Sequence, residues 1–348
     1  MRDRLEKISS DFGDERRTKI SYSGANIDPT MLYEDKDYVI TLTCGGYLRS
    51  AASEDYRQQG RGGQGSRGVG LKEGDAVEHI LHVRTFDTLL FFTNQGKVYG
   101  LQVLSIPETG KVAMGRHLSQ ILPLGKEQQV VSVVKTSGFI EGSVLIATAR
   151  GMVKRTPVGD YGYAMTTRGV QGLSLKYLDD TVIGSTLVND EQEILLATRR
   201  GMVNRFSATQ VRDMGRGAAG VAGIQTRGED RVLGVVVVSN PEEESLLAVT
   251  SLGYAKKTEA SEYRKTARGN LGLVGVKVSS KTGPVVAFRA VRDTQDVLLL
   301  TRGGKSIRVS SSDLQARRRR GMMVRLAQLE DGDEVSAVVI VPEEVEDA

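Results

Sequence analysis

A Thr-x-x-Gly turn closes a short apolar strand six times along this chain, at Thr43/Gly46, Thr93/Gly96, Thr148/Gly151, Thr198/Gly201, Thr250/Gly253 and Thr301/Gly304. Successive threonines are 50, 55, 50, 52 and 51 residues apart. A period this regular means one structural unit used repeatedly. It also means that each unit leans on its neighbours, because a sheet of about 50 residues cannot cover both of its own faces.

Other positions keep the same step. Thirteen residues after each threonine stands a large side chain: Tyr56, Ile106, Tyr161, Val211, Tyr263 and Leu314. Thirty-two residues after it, four repeats carry an aspartate: Asp75, Asp180, Asp230 and Asp333. Between these lies Arg-Gly-x-x-Gly, at Arg61–Gly65, Arg168–Gly172, Arg216–Gly220 and Arg268–Gly272. The sixth copy begins Arg320-Gly321 and has Val324 for the last glycine; the second keeps Gly115, with Lys111 for the arginine. Each repeat reads as an apolar strand, a glycine turn, a strand with basic residues, a loop holding the arginine motif, and two further apolar strands. Runs such as Val235–Val238, bounded by Gly and Asp, are strand signals. The turn glycine is expected to supply a positive φ. The fold class is all-β, four antiparallel strands to a blade, arranged as a propeller-like ring.

Residues 1–33 stand outside the repeat; Arg4 to Phe12 reads as the end of a helix, so the chain is expected to begin at the end of a preceding domain. Residues 34–341 hold six blades, at about 34–83, 84–138, 139–190, 191–243, 244–293 and 294–341, and residues 342–348 form a short acidic tail. The net charge is +4, and Glu343, Glu344, Glu346 and Asp347 offset a more basic body. A basic body points to an anionic partner. Cys44 is the only cysteine, which excludes an internal disulfide framework and a thiolate metal site. The start of the chain lacks the apolar core of a signal peptide, and no apolar run approaches membrane-spanning length. A soluble, cytoplasmic protein is expected.

The chain has no Trp, and so none of the Trp-Asp dipeptides of WD40 propellers. Its Thr-x-x-Gly and Arg-Gly-x-x-Gly pair resembles instead the C-terminal domain of the A subunits of bacterial DNA gyrase and topoisomerase IV, over residues 34–341. Phe12-Gly-Asp-Glu-Arg-Arg-Thr18 is similar to the segment that precedes that domain in gyrase. The gyrase A box, Gln-Arg-Arg-Gly-Gly-Lys-Gly, corresponds to Gln59-Gly60-Arg61-Gly62-Gly63-Gln64-Gly65, with Gly60 and Gln64 replacing two cations. Arg57, Arg67 and Lys72 flank it. The resemblance implies a six-bladed β-pinwheel whose basic edge binds, bends and wraps duplex DNA. It implies two protein partners in an A2B2 enzyme, the N-terminal remainder of the same polypeptide and the ATPase (B) chain, and a place at the bacterial nucleoid. The isolated domain is expected to be monomeric. No catalytic site and no cofactor are expected within it; ATP and Mg belong to the complete enzyme. The two departures leave the topoisomerase IV counterpart open, and a protein-binding scaffold is a further alternative.

Three and four residues after the turn glycines, basic side chains collect: Arg49, Lys154, Arg155, Arg205, Lys256, Lys257 and Arg308. With the motif arginines Arg61, Arg168, Arg216 and Arg268 and the run Arg317, Arg318, Arg319, Arg320, they are expected to form the basic edge. Glycine beside arginine lets the backbone approach a phosphate. Gly63-x-Gly65-x-x-Gly68 matches a dinucleotide-binding pattern literally, but a glycine every four residues follows where a helix is needed. His79 and His82 are three apart in a strand and point to opposite faces, which argues against a metal site. If the box acts as the resemblance implies, Arg61→Ala weakens DNA wrapping, read by topology, more than simple DNA binding, read by gel shift. Equal losses in the two assays count against that role.

Overall fold

The computed structural model describes residues 2–12, 33–53, 75, 77–109, 113–139, 142–166, 168–303, 305–330 and 332–341. The box residues Gln59 to Gly65, their neighbours Arg57, Arg67 and Lys72, and the acidic tail lie outside the described residues. Arg2–Phe12 forms an α-helix within a unit of its own, Met1–Glu34, and the repeats form a second unit, Asp35–Ala348.

Six antiparallel sheets make up the second unit. Their middle strands are β1 (Asp37–Thr43), β4 (Thr88–Thr93), β8 (Ser143–Thr148), β12 (Glu193–Thr198), β16 (Ser245–Thr250) and β20 (Asp296–Thr301). Each turns through Thr-x-x-Gly into β2 (Tyr47–Ala52), β5 (Lys97–Gln102), β9 (Met152–Pro157), β13 (Met202–Ser207), β17 (Tyr254–Glu259) or β21 (Ser306–Ser310). On the other side of each middle strand lies the last strand of the repeat: β3 (Val77–Arg84), β7 (Val130–Thr136), β11 (Val182–Val188), β15 (Val232–Val238), β19 (Val285–Val291) or β23 (Val335–Val341). These six pack in sequence, β3 on β7 and so on to β19 on β23, and β23 packs back on β3. The ring is therefore closed, with those strands innermost.

The fourth strand of each sheet departs from the sequence reading. It is the two-residue strand after the arginine motif, and it comes from the following repeat: β6 (Arg116–His117) joins β2, β10 (Val170–Gln171) joins β5, β14 (Val221–Ala222) joins β9, β18 (Leu273–Val274) joins β13 and β22 (Val324–Arg325) joins β17. Among the described residues the sixth sheet has three strands. A repeat thus does not close its own blade. It lays a strap over the outer edge of the one before.

Neighbouring sheets stack face to face, so both faces of the middle strand are buried in the first five blades, and β20 keeps one face half-buried. Ile194 and Leu196 pack against Leu145 and Ala147 of the third blade, whereas Leu195 and Ala197 pack against Leu246 and Ala248 of the fifth. This is why the middle strands are unbroken apolar runs rather than alternating ones. The anchors thirteen residues past each turn fill the same seams: Ile106, Tyr161, Val211, Tyr263 and Leu314 are all buried. Tyr161 meets Phe92, and Tyr263 meets Phe288, edge to face.

One hydrogen bond recurs in all six turns. The threonine Oγ1 accepts the N–H four residues on, from Tyr47, Lys97, Met152, Met202, Tyr254 and Lys305 in turn. The repeat aspartates cap it: Asp75, Asp180, Asp230 and Asp333 accept the N–H groups of Gly45, Arg150, Arg200 and Gly303. The turn glycine has φ between +76° and +83° in the first five repeats. Its carbonyl receives the next strap: Gly201 O accepts from Gly275 N at 2.8 Å and Val276 N at 3.0 Å. A Cβ at Gly201 would collide with the Val276 carbonyl. Gly201→Ala therefore costs at least about 2 kcal/mol, from left-handed strain and the clash together. Gly215, which has open space where a Cβ would go, tolerates alanine within about 0.5 kcal/mol. Urea midpoints of the two variants check this, and a similar shift in both contradicts it.

Candidate nucleic-acid interface on the outer rim

Each strap is held to the preceding blade through backbone. Parallel bridges link Ser50 to Glu108, Arg155 to Asp213, Arg205 to Lys265 and Lys257 to Ala316. One residue further on, Thr109, Met214, Thr266 and Arg317 donate their N–H groups to the carbonyls of Ser50, Arg155, Arg205 and Lys257, at 2.8–3.0 Å. A chain so pinned presents its side chains at fixed places on the outer edge.

The strap defines the register of the arginine motif, and corrects two copies. Gly115, Gly220 and Gly272 each lie against the carbonyl of the preceding blade's Leu48, Val153 or Val203, where no Cβ fits. Gly169 occupies the same place against Val98 O, and strand pairing agrees, since the residues after these glycines pair with those same partners. Arg168 therefore precedes the close-packed glycine directly, whereas Arg216 and Arg268 stand four residues before theirs. The third repeat has Met165 at the arginine position. In the sixth, Val324 pairs with Ala255, so Met323 replaces the glycine and Arg319, not Arg320, is the motif arginine.

Six of the seven cations following the turn glycines are not on the surface, where the sequence reading places them. Arg49, Lys154, Arg155, Lys256 and Lys257 are buried, at 8% exposure or less, and the Arg205 side chain is 11% exposed. Consecutive residues of a strand face opposite sides, and here both sides are covered by neighbouring blades and straps. Lys154 Nζ donates to the carbonyls of Gly172, Gly215 and Arg216. Lys256 Nζ donates to those of Gly275 and Arg319, and Asn204, in the same register, to those of Gly223 and Ala267. Arg155 pairs with Asp190 and Asp213, and Lys257 with Asp293. Arg205 pairs with Glu193 and donates to the carbonyls of Ala260 and Tyr263. These side chains staple one repeat to the next. Arg308 is exposed and paired with Asp296.

The motif arginines are half-buried and directed. Arg268 donates to the carbonyls of Gln210 and Ala222, and Arg319 to that of Val274. Arg216 lies 5.8 Å from the centre of the exposed Tyr163 ring. Arg168, Arg317, Arg318 and Arg320 are exposed, and their side chains have no ion pair or hydrogen bond among the described residues. The sequence reading passed over three others of that kind on the straps. Arg212 and Arg264 are exposed, fourteen residues past their turns and in register with Arg57, and Arg116 stands exposed on β6. Repeat register with Arg57 was the signal for the first two. Among the described residues no group of three His, Cys, Asp or Glu side chains is placed to hold a metal ion.

The DNA gyrase C-terminal domain, beta-propeller, family model matches six segments, 37–84, 87–137, 142–189, 192–239, 244–292 and 295–342. Each runs from a middle strand to the innermost strand of the same repeat. The chain belongs to this family. It is 36% identical over 336 residues to the DNA gyrase A subunit from Deinococcus deserti, covering 95% of this chain and 41% of that protein. Against the DNA gyrase A subunit from Salmonella typhimurium it is 33% identical over 348 residues, covering all of this chain and 39% of that one. The chain thus spans about two fifths of the curated relatives it matches. A solved DNA gyrase A C-terminal domain superposes with a TM-score of 0.68 at 25% identity, over 87% of this chain and 99% of that one. The C-terminal domain of DNA topoisomerase IV superposes at 0.74 and 23% identity, over 88% and 94%, which shows the shared fold.

The stapling role of the buried lysines is testable. Burial pushes Lys154 down to about 8, with Asp160 opposing and Arg216 reinforcing the shift, and burial with Arg319 pushes Lys256 down to about 8 against Glu262. Lys154→Met and Lys256→Met strand buried carbonyls and each cost about 2–4 kcal/mol in urea unfolding. Between about pH 8 and the ~10.4 of a free lysine, the unfolded chain binds more protons at these sites than the folded one. Their titration adds stability as pH rises through that window, so the gap between wild type and either variant widens from pH 8 to 10. A constant gap contradicts the depressed titration.

Proposed function

We propose that this gyrase-family domain binds duplex DNA along its outer rim and wraps it in one handedness, as the C-terminal part of a DNA gyrase A subunit. The observation that carries the reading is the set of exposed arginines without partners on straps whose backbones are pinned at equivalent places around a closed ring. Phosphates recur regularly along a duplex, and a ring of fixed cations meets them without distorting itself. Bending 20–30 bp through 40–90° costs on the order of 1–6 kcal/mol, which suits many modest contacts spread along the rim. Readout through backbone and deformability follows, with little sequence preference.

In the whole protein the domain presents the wrapped segment to the strand-passage machinery in the N-terminal remainder of the polypeptide, with the ATPase (B) chain supplying the energy for negative supercoiling. Catalysis then resides outside this chain, in the bacterial cytoplasm at the nucleoid. The topoisomerase IV counterpart is the second reading, motivated by Gly60 and Gln64 in the box. The identity of 33–36% to gyrase A subunits favours gyrase.

The deciding assay mixes the chain with closed circular DNA, relaxes it with a nicking-closing topoisomerase, removes protein and resolves the topoisomers. A protein-dependent positive shift in linking number supports chiral wrapping; binding without a shift favours the topoisomerase IV reading, and absent binding overturns both. Replacing Arg317, Arg318 and Arg320 together by alanine leaves the urea midpoint within about 0.5 kcal/mol of wild type. The slope of log K against log salt falls by about 2–3 in the same variant. An unchanged slope removes these residues from the interface.

A further inference from the structure

We propose that the ring carries a second site, for a small anion bearing two or more phosphate groups, at the strand ends of the fourth, fifth and sixth blades. A cavity of about 360 Å³ opens there, lined by Arg199, Arg231, Ser251, Arg302 and Glu334 over an apolar floor that includes Leu233. That volume lies in the range of small-ligand sites. Arg199, Ser251 and Arg302 hold one repeat position, immediately after the turn threonine, and Arg231 and Glu334 share another. The first three blades have Cys44, Asn94 and Ala149 at the former position. The cluster of cations is therefore peculiar to one side of a regular ring. No described strap residue lines it, so it is separate from the described rim.

Three guanidiniums stand against two carboxylates. Arg302 pairs with Glu334 at 3.0 Å, and Arg231 reaches Asp179 at 3.1 Å. The Arg199 guanidinium has no partner among the described residues. Ser251 is 4% exposed, lines the cavity and has no hydrogen-bond partner for its Oγ. A buried hydroxyl left unpaired costs about 1–3 kcal/mol, but this oxygen is closed off from the cavity, so the guanidiniums carry the site. Planar guanidinium forks match phosphate oxygens two at a time, so converging arginines select a compact polyanion over a monoanion. Because the cavity touches three blades, its ligand also ties their inner and middle strands together.

Calorimetric titration of the whole chain with inorganic pyrophosphate tests this, alongside inorganic phosphate and a short DNA duplex. One pyrophosphate per chain is expected, bound more tightly than phosphate. Arg199→Ala weakens it about tenfold or more, and Arg302→Ala about three- to tenfold. Both variants keep wild-type affinity for the duplex, whereas the triple Arg317, Arg318, Arg320 variant keeps pyrophosphate binding and loses duplex affinity. The proposal is overturned by absence of saturable pyrophosphate binding, by binding that Arg199→Ala and Arg302→Ala leave intact, or by equal weakening in the rim variant, which marks general attraction to the basic edge. The duplex arm reads the DNA-binding proposal separately.

Discussion

The joint between one repeat's turn and the next repeat's strap is the interaction on which the ring depends. The turn glycine places its carbonyl where two N–H groups of the next strap reach it, as Gly96 does for Gly172 and Leu173, and Gly151 for Gly223 and Ile224. The turn must be left-handed to point that carbonyl outward, and it must lack a Cβ to let the strap approach. Threonine and aspartate then fix the turn from either side. Each residue of the repeat signature thus serves one joint, which explains why the spacing is regular while the strands between are free to vary among apolar types.

Strand exchange follows from the same joint and has an energetic consequence. A blade whose outer strand belongs to its neighbour cannot unfold alone, because its opening exposes the neighbour's seam as well. The wide burial of both sheet faces makes that coupling hydrophobic, and the buried cations add a polar layer to it. Lys154 is the clearest case. Its ammonium satisfies carbonyls from its own repeat and the next, so it counts toward assembly of two blades at once. Buried polar groups of this kind stabilise only when fully paired, and the strap supplies the partners.

Much of the architecture was legible from the period, since only a ring or a stack uses such a unit six times. The turn, the anchor side chains and the strand-rich blades were readable because each has a local chemical signature. The exchange of the fourth strand was not, because a two-residue strand such as Val221–Ala222 has no pattern of its own. The same gap misplaced the motif frame: Arg168-Gly169-x-x-Gly172 looks like its siblings in letters, but its first glycine, not its last, meets the preceding blade. The lysines were misassigned for a related reason. Lys154 and Arg155 are adjacent in a strand and must face opposite sides, and in a blade covered on both sides neither can reach solvent. Applying that rule to the basic pairs would have turned them from contacts into staples.

What distinguishes a binding cation from a stapling one is then its partner set rather than its position in the repeat. Arg155 and Arg205 spend their donors on acids and carbonyls across a seam, and any phosphate would have to compete with partners already in place. Arg317, Arg318 and Arg320 have no such engagement, and their strap is held by its backbone, Lys256 and Arg319, so changing them leaves the fold its joints. Arg268 and Arg319 stand between the two groups: a carbonyl aims each guanidinium, and the donors that remain are fixed in direction. Preorganised charge loses less freedom on binding than a free side chain. A rim built from both aimed and free arginines can hold a curved polyanion firmly while tolerating its sequence.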